Sequence, residues 1–194
     1  MQVLFVCTAN MCRSPMAAGL FRRRLAHDDG AVVTEAVNVL SAGLLPGGFA
    51  SPPEVVTAMA EHDVDLAGHR STQVSPELVA GADVVIGMAR RHAREVVLLD
   101  PAAWGRTFTL KEIVRRGDSL GARPPDGALT AWLGRLHHGR ARGDLVGSAP
   151  ADDVSDPLGG PLDAYRGTAI ELEGLVDRLA GLLWAPRPIR PLHG

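Results

Sequence analysis

The chain has 194 residues, of which 46% are hydrophobic and 22% are charged, and its formal net charge is −2 at pH 7. This length suits one globular domain with a full core, and the near-neutral charge argues against nucleic acid or an acidic membrane surface as a partner. No apolar run approaches the roughly 20 residues that span a bilayer, and the N-terminus lacks the basic and apolar regions of a signal peptide, so we expect a cytoplasmic protein.

The first predicted element is a short buried strand, because residues 3–6 are all apolar. A loop of mostly small or polar residues follows, and Ser14 and Pro15 then open a run whose apolar residues have helical spacing. Ser14 or a near neighbour can cap this helix, and proline is favoured in a first turn. The segment therefore predicts a strand, a tight loop and the N-terminus of a helix.

This loop has the features of an anion site that carries a nucleophile. A helix N-terminus and successive backbone N–H groups both bind phosphate-like anions. Cys7 begins the loop and Arg13 ends it; such surroundings favour a thiolate, and a guanidinium fork suits two phosphoryl oxygens. The Cys-x5-Arg-Ser pattern thus predicts phosphoryl transfer, the alternative being a structural cysteine with an arginine that caps nearby carbonyls.

The segment Val-Cys-Thr-Ala-Asn-Met-Cys-Arg-Ser-Pro, residues 6–15, resembles the phosphate-binding loop of the low-molecular-weight protein tyrosine phosphatases. That family has this loop at the extreme N-terminus, as here, and its general acid in an Asp-Pro pair near the C-terminus. The resemblance implies that Cys7 is the nucleophile, that Arg13 binds the phosphoryl group, and that no metal or organic cofactor takes part. The other residues of the implied phosphate-binding loop are Thr8, Ala9, Asn10, Met11, Cys12 and Ser14.

The chain contains two cysteines, Cys7 and Cys12, and both lie in this loop. A pair so placed does not staple a fold, and no paired histidines complete a zinc site with it. The resemblance implies that Cys12 forms a reversible disulfide with Cys7 that protects the nucleophile from over-oxidation. A small buried filler is the alternative role of Cys12.

The helix that starts at Pro15 is predicted to end in a turn at residues 27–30. The three arginines at positions 22–24 are expected on its solvated face, the alternative being that they attract anionic substrates. Residues 32–40 are rich in valine and predict a second strand.

The sequence Ser-Ala-Gly at residues 41–43 follows this strand. In the resembled family, a serine at this place helps to fix the loop asparagine, together with a second serine and a histidine. The implied supporting network consists of Asn10, Ser14, Ser41 and His69. The alternative for His69 is an ordinary surface histidine in a turn.

The chain then alternates helices and strands. Helices are predicted at residues 52–62, 76–82, 89–99 and 111–116, and strands at residues 83–88 and 107–110. His92 is expected to be exposed on its helix. Strands separated by helices imply right-handed crossovers, and ligands then bind beyond the carboxyl ends of the strands. We therefore expect a single α/β domain with a four-stranded parallel sheet and helices on both faces, and the resemblance implies the flavodoxin-like strand order 2-1-3-4.

The domain is predicted to span residues 1–184, with an insertion at residues 117–153 that contains one helix at about residues 128–138. The insertion is rich in basic residues, which we expect to be solvated, RNA contact being the alternative; they include Arg135, His137, His138, Arg140 and Arg142. A long amphipathic helix at residues 162–183 should pack on the sheet, and residues 185–194 are expected to be a disordered tail.

Asp156 and Pro157 form an Asp-Pro pair just before this last helix. Such a pair alone is a common turn, but its place agrees with that of the general acid in the resembled family. Asp156 would protonate the leaving oxygen and then activate water, while Pro157 stiffens the loop. Asp152, Asp153 and Asp163 are the nearby alternatives.

Two apolar residues are the candidate walls of the substrate pocket. Relatives that act on phosphotyrosine usually have Trp or Tyr in the loop at residues 44–53 and an aromatic residue after the Asp-Pro pair, whereas this chain has Phe49 and Leu158. Met11 stands where the related protein arginine phosphatases tend to have threonine, which favours the tyrosine branch.

The predicted function is that of a cysteine-dependent phosphatase acting on phosphotyrosine in proteins. The alternatives are a phosphatase of a small phosphorylated metabolite, a protein arginine phosphatase, and a non-catalytic phosphate-binding module. The lack of a third cysteine argues strongly against the related arsenate reductases, which need a further cysteine relay. The predicted partner is thus a phosphorylated protein or small molecule, with no nucleic acid and no membrane.

Overall fold

A four-stranded parallel sheet forms the centre of the computed structural model, which describes residues 1–26 and 37–184. Its strands are β1 (Gln2–Cys7), β2 (Asn38–Gly43), β3 (Val84–Gly87) and β4 (Thr107–Thr109), in the order β2-β1-β3-β4. This confirms the predicted α/β fold and strand order. The predicted turn at residues 27–30, the first half of the predicted second strand and the predicted tail at residues 185–194 lie outside the described residues.

Helices cover both faces of this sheet. The described α-helices are α1 (Arg13–Ala26), α2 (Pro53–Ala60), α3 (Pro76–Ala80), α4 (Arg90–Leu99), α5 (Leu110–Leu120), α6 (Leu129–His137) and α7 (Leu162–Leu183). Short 3-10 helices cover Pro101–Arg106 and Arg142–Leu145. Among the helices of the described residues, none is long and apolar enough to span a membrane.

The central strand β1 is buried on both faces, which explains its unbroken apolar sequence. Val3 and Phe5 pack with residues of α1, α5 and α7, whereas Leu4 and Val6 pack with residues of α3 and α4 on the other face. Successive side chains of a strand point to opposite faces, so one apolar run supplies both halves of the core. Because the strands are parallel, the loop that follows β1 lies at the carboxyl edge of the sheet, between the ends of β2 and β3.

Several strand boundaries differ from the predicted ones, and at two of them the contacts matter for the site. The sequence predicts a strand through Leu110, but the hydroxyl of Thr109 accepts a hydrogen bond from the backbone N–H of Glu112 at 3.1 Å. This cap starts α5 at Leu110. Strand β2 continues to Gly43, which lies opposite Cys7 in the parallel register, so the Ser-Ala-Gly segment belongs to the strand.

One basic residue predicted to be solvated is buried instead. The side chain of Arg140 is 0% exposed, and its guanidinium carbon lies 4.0 Å from the ring centroid of Trp104 and 4.1 Å from that of Phe108. Its Nε donates to a carboxylate oxygen of Glu112 at 2.7 Å. A guanidinium is weakly hydrated and stacks on aromatic faces, so this buried cation attaches the segment at residues 117–153 to the domain.

The arginines at positions 22–24 also do more than form a solvated face. Arg23 forms an ion pair with Glu173 on α7, and Nε of Arg24 lies 3.5 Å from a carboxylate oxygen of Asp177 on the same helix. These two side chains are only partly exposed, so they help to dock α7 against α1.

Candidate active site

Cys7 is the last residue of β1, and its sulfur lies beneath the loop that leads into α1. The thiol group is buried, with the residue only 3% exposed. Sγ accepts a hydrogen bond from the backbone N–H of Asn10 at 3.2 Å, and the hydroxyl of Ser14 lies 3.0 Å away. Donors aimed at one sulfur atom stabilise negative charge on it, which is the state that a nucleophile requires.

Asn10 supports the middle of the loop from the side of β2. Its φ of 54° is in the left-handed region, where asparagine is one of the few tolerated non-glycine residues. Its amide nitrogen donates to the hydroxyls of Ser14 and Ser41, both at 2.9 Å, and its amide oxygen accepts from the N–H of Thr72 at 2.8 Å. Nε2 of His69 lies 2.7 Å from the backbone oxygen of Asn10. The structure thus brings the four implied network residues together.

Arg13 closes the other end of the loop. The residue is 3% exposed; its Nη1 donates to the backbone oxygen of Val154 at 3.1 Å, and its Nη2 forms an ion pair with Asp156. Nη2 also lies 3.5 Å from the hydroxyl of Thr8. The two Nη atoms therefore connect the loop at the start of the chain to the segment that contains the Asp-Pro pair.

The neighbouring carboxylates have other partners. Asp152 pairs with Arg90 and Arg115 at 2.6 and 2.7 Å, and Asp153 accepts the backbone N–H of Arg90 at 2.8 Å, which places it at the start of α4. Burial raises the pKa of Asp152, but hydrogen bonds from Arg115 and Arg90 outweigh it and hold the pKa below its usual range. These carboxylates serve as anchors.

Asp156 differs from these anchors in its surroundings. Its side chain is 38% exposed and faces Arg13. Asp163, the third alternative, is 87% exposed and lies 3.0 Å from Arg166 of its own helix. Among the four candidate acids, Asp156 is therefore the one that lies at the predicted phosphate-binding loop, residues 7–14, which we call the phosphate loop.

Cys12 has none of the donors that surround Cys7. Burial, followed by the nearby charges of Cys7 and Asp156, raises the pKa of the Cys12 thiol to about 12. Both cysteines are free in the structure. Cys12 is therefore a thiol at neutral pH, which makes it a poor nucleophile.

The predicted pocket residues are both open to solvent. Phe49 is 57% exposed and Leu158 is 56% exposed. Leu158 lies two residues after Asp156, and Phe49 belongs to the loop whose first residues, Leu44 and Leu45, donate their N–H groups to the backbone oxygens of Cys7 and Thr8. Their role in binding substrate stays a prediction. In the described part of the chain, no group of three or more His, Cys, Asp or Glu residues could hold a metal ion.

His92 is not exposed as predicted, and the prediction for it is wrong. The residue is 0% exposed, and its Nε2 lies 3.0 Å from the hydroxyl of Thr8 in the phosphate loop. The sequence contains a signal for this burial, since His92 and Val96 are four residues apart and share a face of α4. Arg91, beside it, also reaches Thr8, with Nη2 at 2.9 Å from the hydroxyl.

Comparisons with known proteins agree with this geometry. The sequence model of the family described as low molecular weight phosphotyrosine protein phosphatase matches residues 2–123. A protein-arginine-phosphatase of Bacillus subtilis is 34% identical over 185 residues, which cover 93% of this chain and 95% of that protein. A probable low molecular weight protein-tyrosine-phosphatase of Ralstonia solanacearum is 36% identical over 112 residues, which cover 57% of this chain and 71% of its own.

Solved structures show the same similarity. The crystal structure of a low molecular weight protein tyrosine phosphatase from T. tengcongensis superposes with a TM-score of 0.69 at 34% identity. The match covers 94% of this chain and 99% of that one. The likeness therefore extends over the sheet and α7, well past the residues that the family model matches.

Proposed function

Because this chain belongs to the low molecular weight phosphotyrosine protein phosphatase family, we propose that it hydrolyses phosphotyrosine in proteins through a cysteinyl-phosphate intermediate. One observation carries the proposal. The sulfur of Cys7 is reached by the backbone N–H of Asn10 and the hydroxyl of Ser14, while Arg13 and Asp156 face each other at the loop's other end. The proposed nucleophile, phosphate-binding arginine and general acid thus lie together at the carboxyl edge of the sheet.

In the first step, the thiolate of Cys7 attacks phosphorus in line with the leaving oxygen. A P–S bond forms, the P–O bond breaks, and Asp156 gives its proton to the departing oxygen. Backbone N–H groups of the loop and the guanidinium of Arg13 stabilise the charge on the three equatorial oxygens. The proposed mechanism thus depends on positioning and charge stabilisation and needs no metal ion.

In the second step, a water molecule attacks the phosphorus of the cysteinyl-phosphate. Asp156, now ionised, takes the proton of that water, the P–S bond breaks, and inorganic phosphate and the thiolate of Cys7 are released. Asp156 lies beside Arg13 at the phosphoryl site, which puts its carboxyl group within reach of the reacting oxygens in both steps. One carboxyl group can thus serve as acid and then as base.

A protein arginine phosphatase is the second candidate, and the extent of the similarity favours it. The arginine phosphatase of B. subtilis matches over 93% of this chain, whereas the tyrosine phosphatase of R. solanacearum matches over 57%. Against it stands Met11, a partly buried apolar side chain at the position where arginine phosphatases tend to have threonine. The exposed side chains of Phe49 and Leu158 suit an aromatic ring better than a guanidinium.

The experiment compares two phosphopeptides of the same flanking sequence, one with phosphotyrosine and one with phosphoarginine, together with a sugar phosphate. We expect reduced wild-type protein to have the highest kcat/KM with the phosphotyrosine peptide and Cys7→Ser to have no turnover. A preference for phosphoarginine would move the protein to the second candidate, and a preference for the sugar phosphate to a metabolite phosphatase. Folded wild type that hydrolyses none of them would refute the enzyme proposal.

The cytoplasmic location is part of the same proposal. Two unpaired cysteines, one of them the nucleophile, suit a reducing compartment.

A further inference from the structure

A second arginine and a buried histidine meet the phosphate loop at the hydroxyl of Thr8. Nε2 of His92 and Nη2 of Arg91 lie 3.0 and 2.9 Å from this hydroxyl. Nε of Arg91 also donates to Nε2 of His92 at 3.2 Å. The three side chains thus form a closed set of contacts, which we call the Thr8 cluster, on the side of the loop that faces α4.

The hydrogen-bonding capacities of the three groups determine the direction of each bond. An arginine only donates, so Nε2 of His92 must accept from Arg91 and carries no proton. The hydroxyl of Thr8 then donates to the same Nε2 and keeps both lone pairs free for Nη2 of Arg91 and, at 3.5 Å, Nη2 of Arg13. The one donor and both acceptor lone pairs of this hydroxyl are therefore used, which fixes its orientation.

The imidazole of His92 remains neutral throughout the physiological pH range. Burial, followed by the charges of Arg13 and Arg91, lowers the pKa of His92 to about 3. Its Nδ1 is buried and has no hydrogen-bond partner among the described residues. Burial of a polar ring with one unsatisfied nitrogen is costly, so packing alone does not account for it. Within the described residues, the polar contacts of this ring all belong to the Thr8 cluster.

Arg91 reaches the same groups as Arg13 from the opposite side. Its Nη2 lies 3.6 Å from the Oδ2 of Asp156 that also pairs with Arg13, and its side chain is 51% exposed. An anion that replaces this carboxylate at the loop therefore faces two guanidinium groups. Arginine is well suited to phosphate oxygens, because its donors form a rigid planar fork.

We propose that Arg91 is a second phosphate-binding residue and that His92 is a positioning residue that holds it in place through Thr8. The inference rests on the proposed phosphatase function and adds a substrate contact to that same site. Binding of the phosphoryl group is shared between an arginine of α1 and an arginine of α4.

The test measures binding of inorganic phosphate by calorimetry, which requires no turnover. We expect Arg91→Met to weaken phosphate binding about tenfold, the effect of one lost charge-assisted hydrogen bond. Arg94→Met is the matched control. It removes the same charge from the same helix, but Arg94 pairs with Glu95. The control should change the Kd by less than about twofold, as expected of a screened exposed charge.

His92 is tested by two substitutions and one combination. His92→Gln offers an acceptor where Nε2 lies and should bind phosphate nearly as wild type does, whereas His92→Leu should lose as much affinity as Arg91→Met. The double variant His92→Leu/Arg91→Met should be no weaker than either single variant, because both remove the same contact. If His92→Leu does not fold, Thr8→Val removes the shared hydroxyl and should show the same loss.

The outcomes that overturn the inference differ from those that overturn the function. An unchanged Kd in Arg91→Met, or equal losses in Arg91→Met and Arg94→Met, removes Arg91 from the phosphate site. Additive losses in the double variant remove the positioning role of His92. Wild type that binds phosphate but hydrolyses no ester leaves these comparisons intact and refutes only the enzymatic proposal.

Discussion

Asp156 shows how a single residue acquires a role from its surroundings. Four aspartates lie close together in the sequence, at positions 152, 153, 156 and 163. Arginines bind the first, a helix start uses the second, and solvent surrounds the last, which leaves Asp156 facing Arg13 across the loop. The chemistry of a carboxyl group is the same at all four positions, so contacts distinguish them.

Substitution of Asp156 by Asn removes the proton that the proposed mechanism gives to the leaving oxygen. We expect kcat/KM, which reports the first step, to fall by about 10²–10⁴, the usual contribution of a general acid. The loss should be larger for phenyl phosphate than for p-nitrophenyl phosphate, because nitrophenolate leaves without a proton. Steady-state kinetics with both esters measures this, with Asp163→Asn as the control that should behave as wild type. Equal losses for the two esters would contradict the role of Asp156.

His92 makes the stability of the protein depend on pH. Its pKa is lowered from 6.5 to about 3 by burial and by Arg13 and Arg91, so the unfolded chain binds a proton in this range that the folded chain does not. The free energy of unfolding should therefore fall as the pH falls from about 6.5 towards 3, by about 2 kcal/mol between pH 7 and pH 5.

Urea denaturation of wild type and His92→Gln at pH 7 and pH 5 isolates this contribution. The other titratable groups are common to both proteins, so the difference between their pH dependences belongs to position 92. The variant should lose about 2 kcal/mol less than wild type on going to pH 5. The same pH dependence in both proteins would show that folding does not lower the pKa of His92.

At the scale of elements, the end of β2 forms a wall of the phosphate loop. Gly43 lies opposite Cys7, and a Cβ at this position would lie 2.6 Å from the backbone nitrogen of Asn10 and 2.7 Å from the carbonyl carbon of Ala9. Strand and loop are thus in backbone contact, which only a glycine permits. The loop owes its shape to β2 as much as to its own sequence.

Gly43→Ala should therefore displace the loop while leaving the sheet intact. Misplacement of reacting groups by about 1 Å costs on the order of 10²-fold in rate, and we expect a loss of that size in kcat/KM for p-nitrophenyl phosphate. Gly68→Ala is the control, because a Cβ there meets nothing within 4 Å. Circular dichroism should show both variants folded, and an active Gly43→Ala variant would mean that the loop tolerates the shift.

At the scale of the whole molecule, residues far apart in sequence hold the acid segment at the site. The backbone of Val154 bonds to Met88 at the end of β3 and, through its oxygen, to Arg13 on α1. The preceding segment is attached to α5 by the ion pair of Arg140 with Glu112. Three regions of the chain must therefore dock before the site is complete.

Arg140→Ala should destabilise the protein by about 3 kcal/mol, the lower end of the range for removing one partner of a buried ion pair, because Arg116 remains beside Glu112. The substitution leaves the carboxylate of Glu112 buried and opens the space between Trp104 and Phe108. Urea denaturation measures the loss, and Arg142→Ala, at an exposed position, should change stability by less than about 0.5 kcal/mol. Equal stabilities of the two variants would show that Arg140 contributes no more than a surface residue.

Local sequence was sufficient for the elements and for the phosphate loop. Four consecutive apolar residues predict a buried strand, because a strand that is covered on both faces has no polar side. Cys7, Arg13 and Pro15 follow at the spacing expected of a loop and the start of a helix. These features depend on residues that are neighbours in the chain.

Only the tertiary structure decided which side chains meet across the molecule. The Asp-Pro pair singles out Asp156, and helical spacing indicates that His92 is buried. Nothing local, however, pairs Asp156 with Arg13 or brings His92 to Thr8. The position of Arg140 between two aromatic rings is likewise not a local feature. Each of these contacts joins residues from different elements, and burial and charge pairing there depend on how helices dock on the sheet. The sequence by itself determined the strand, the loop and the chemistry they present, whereas docking selected the residues that complete the site.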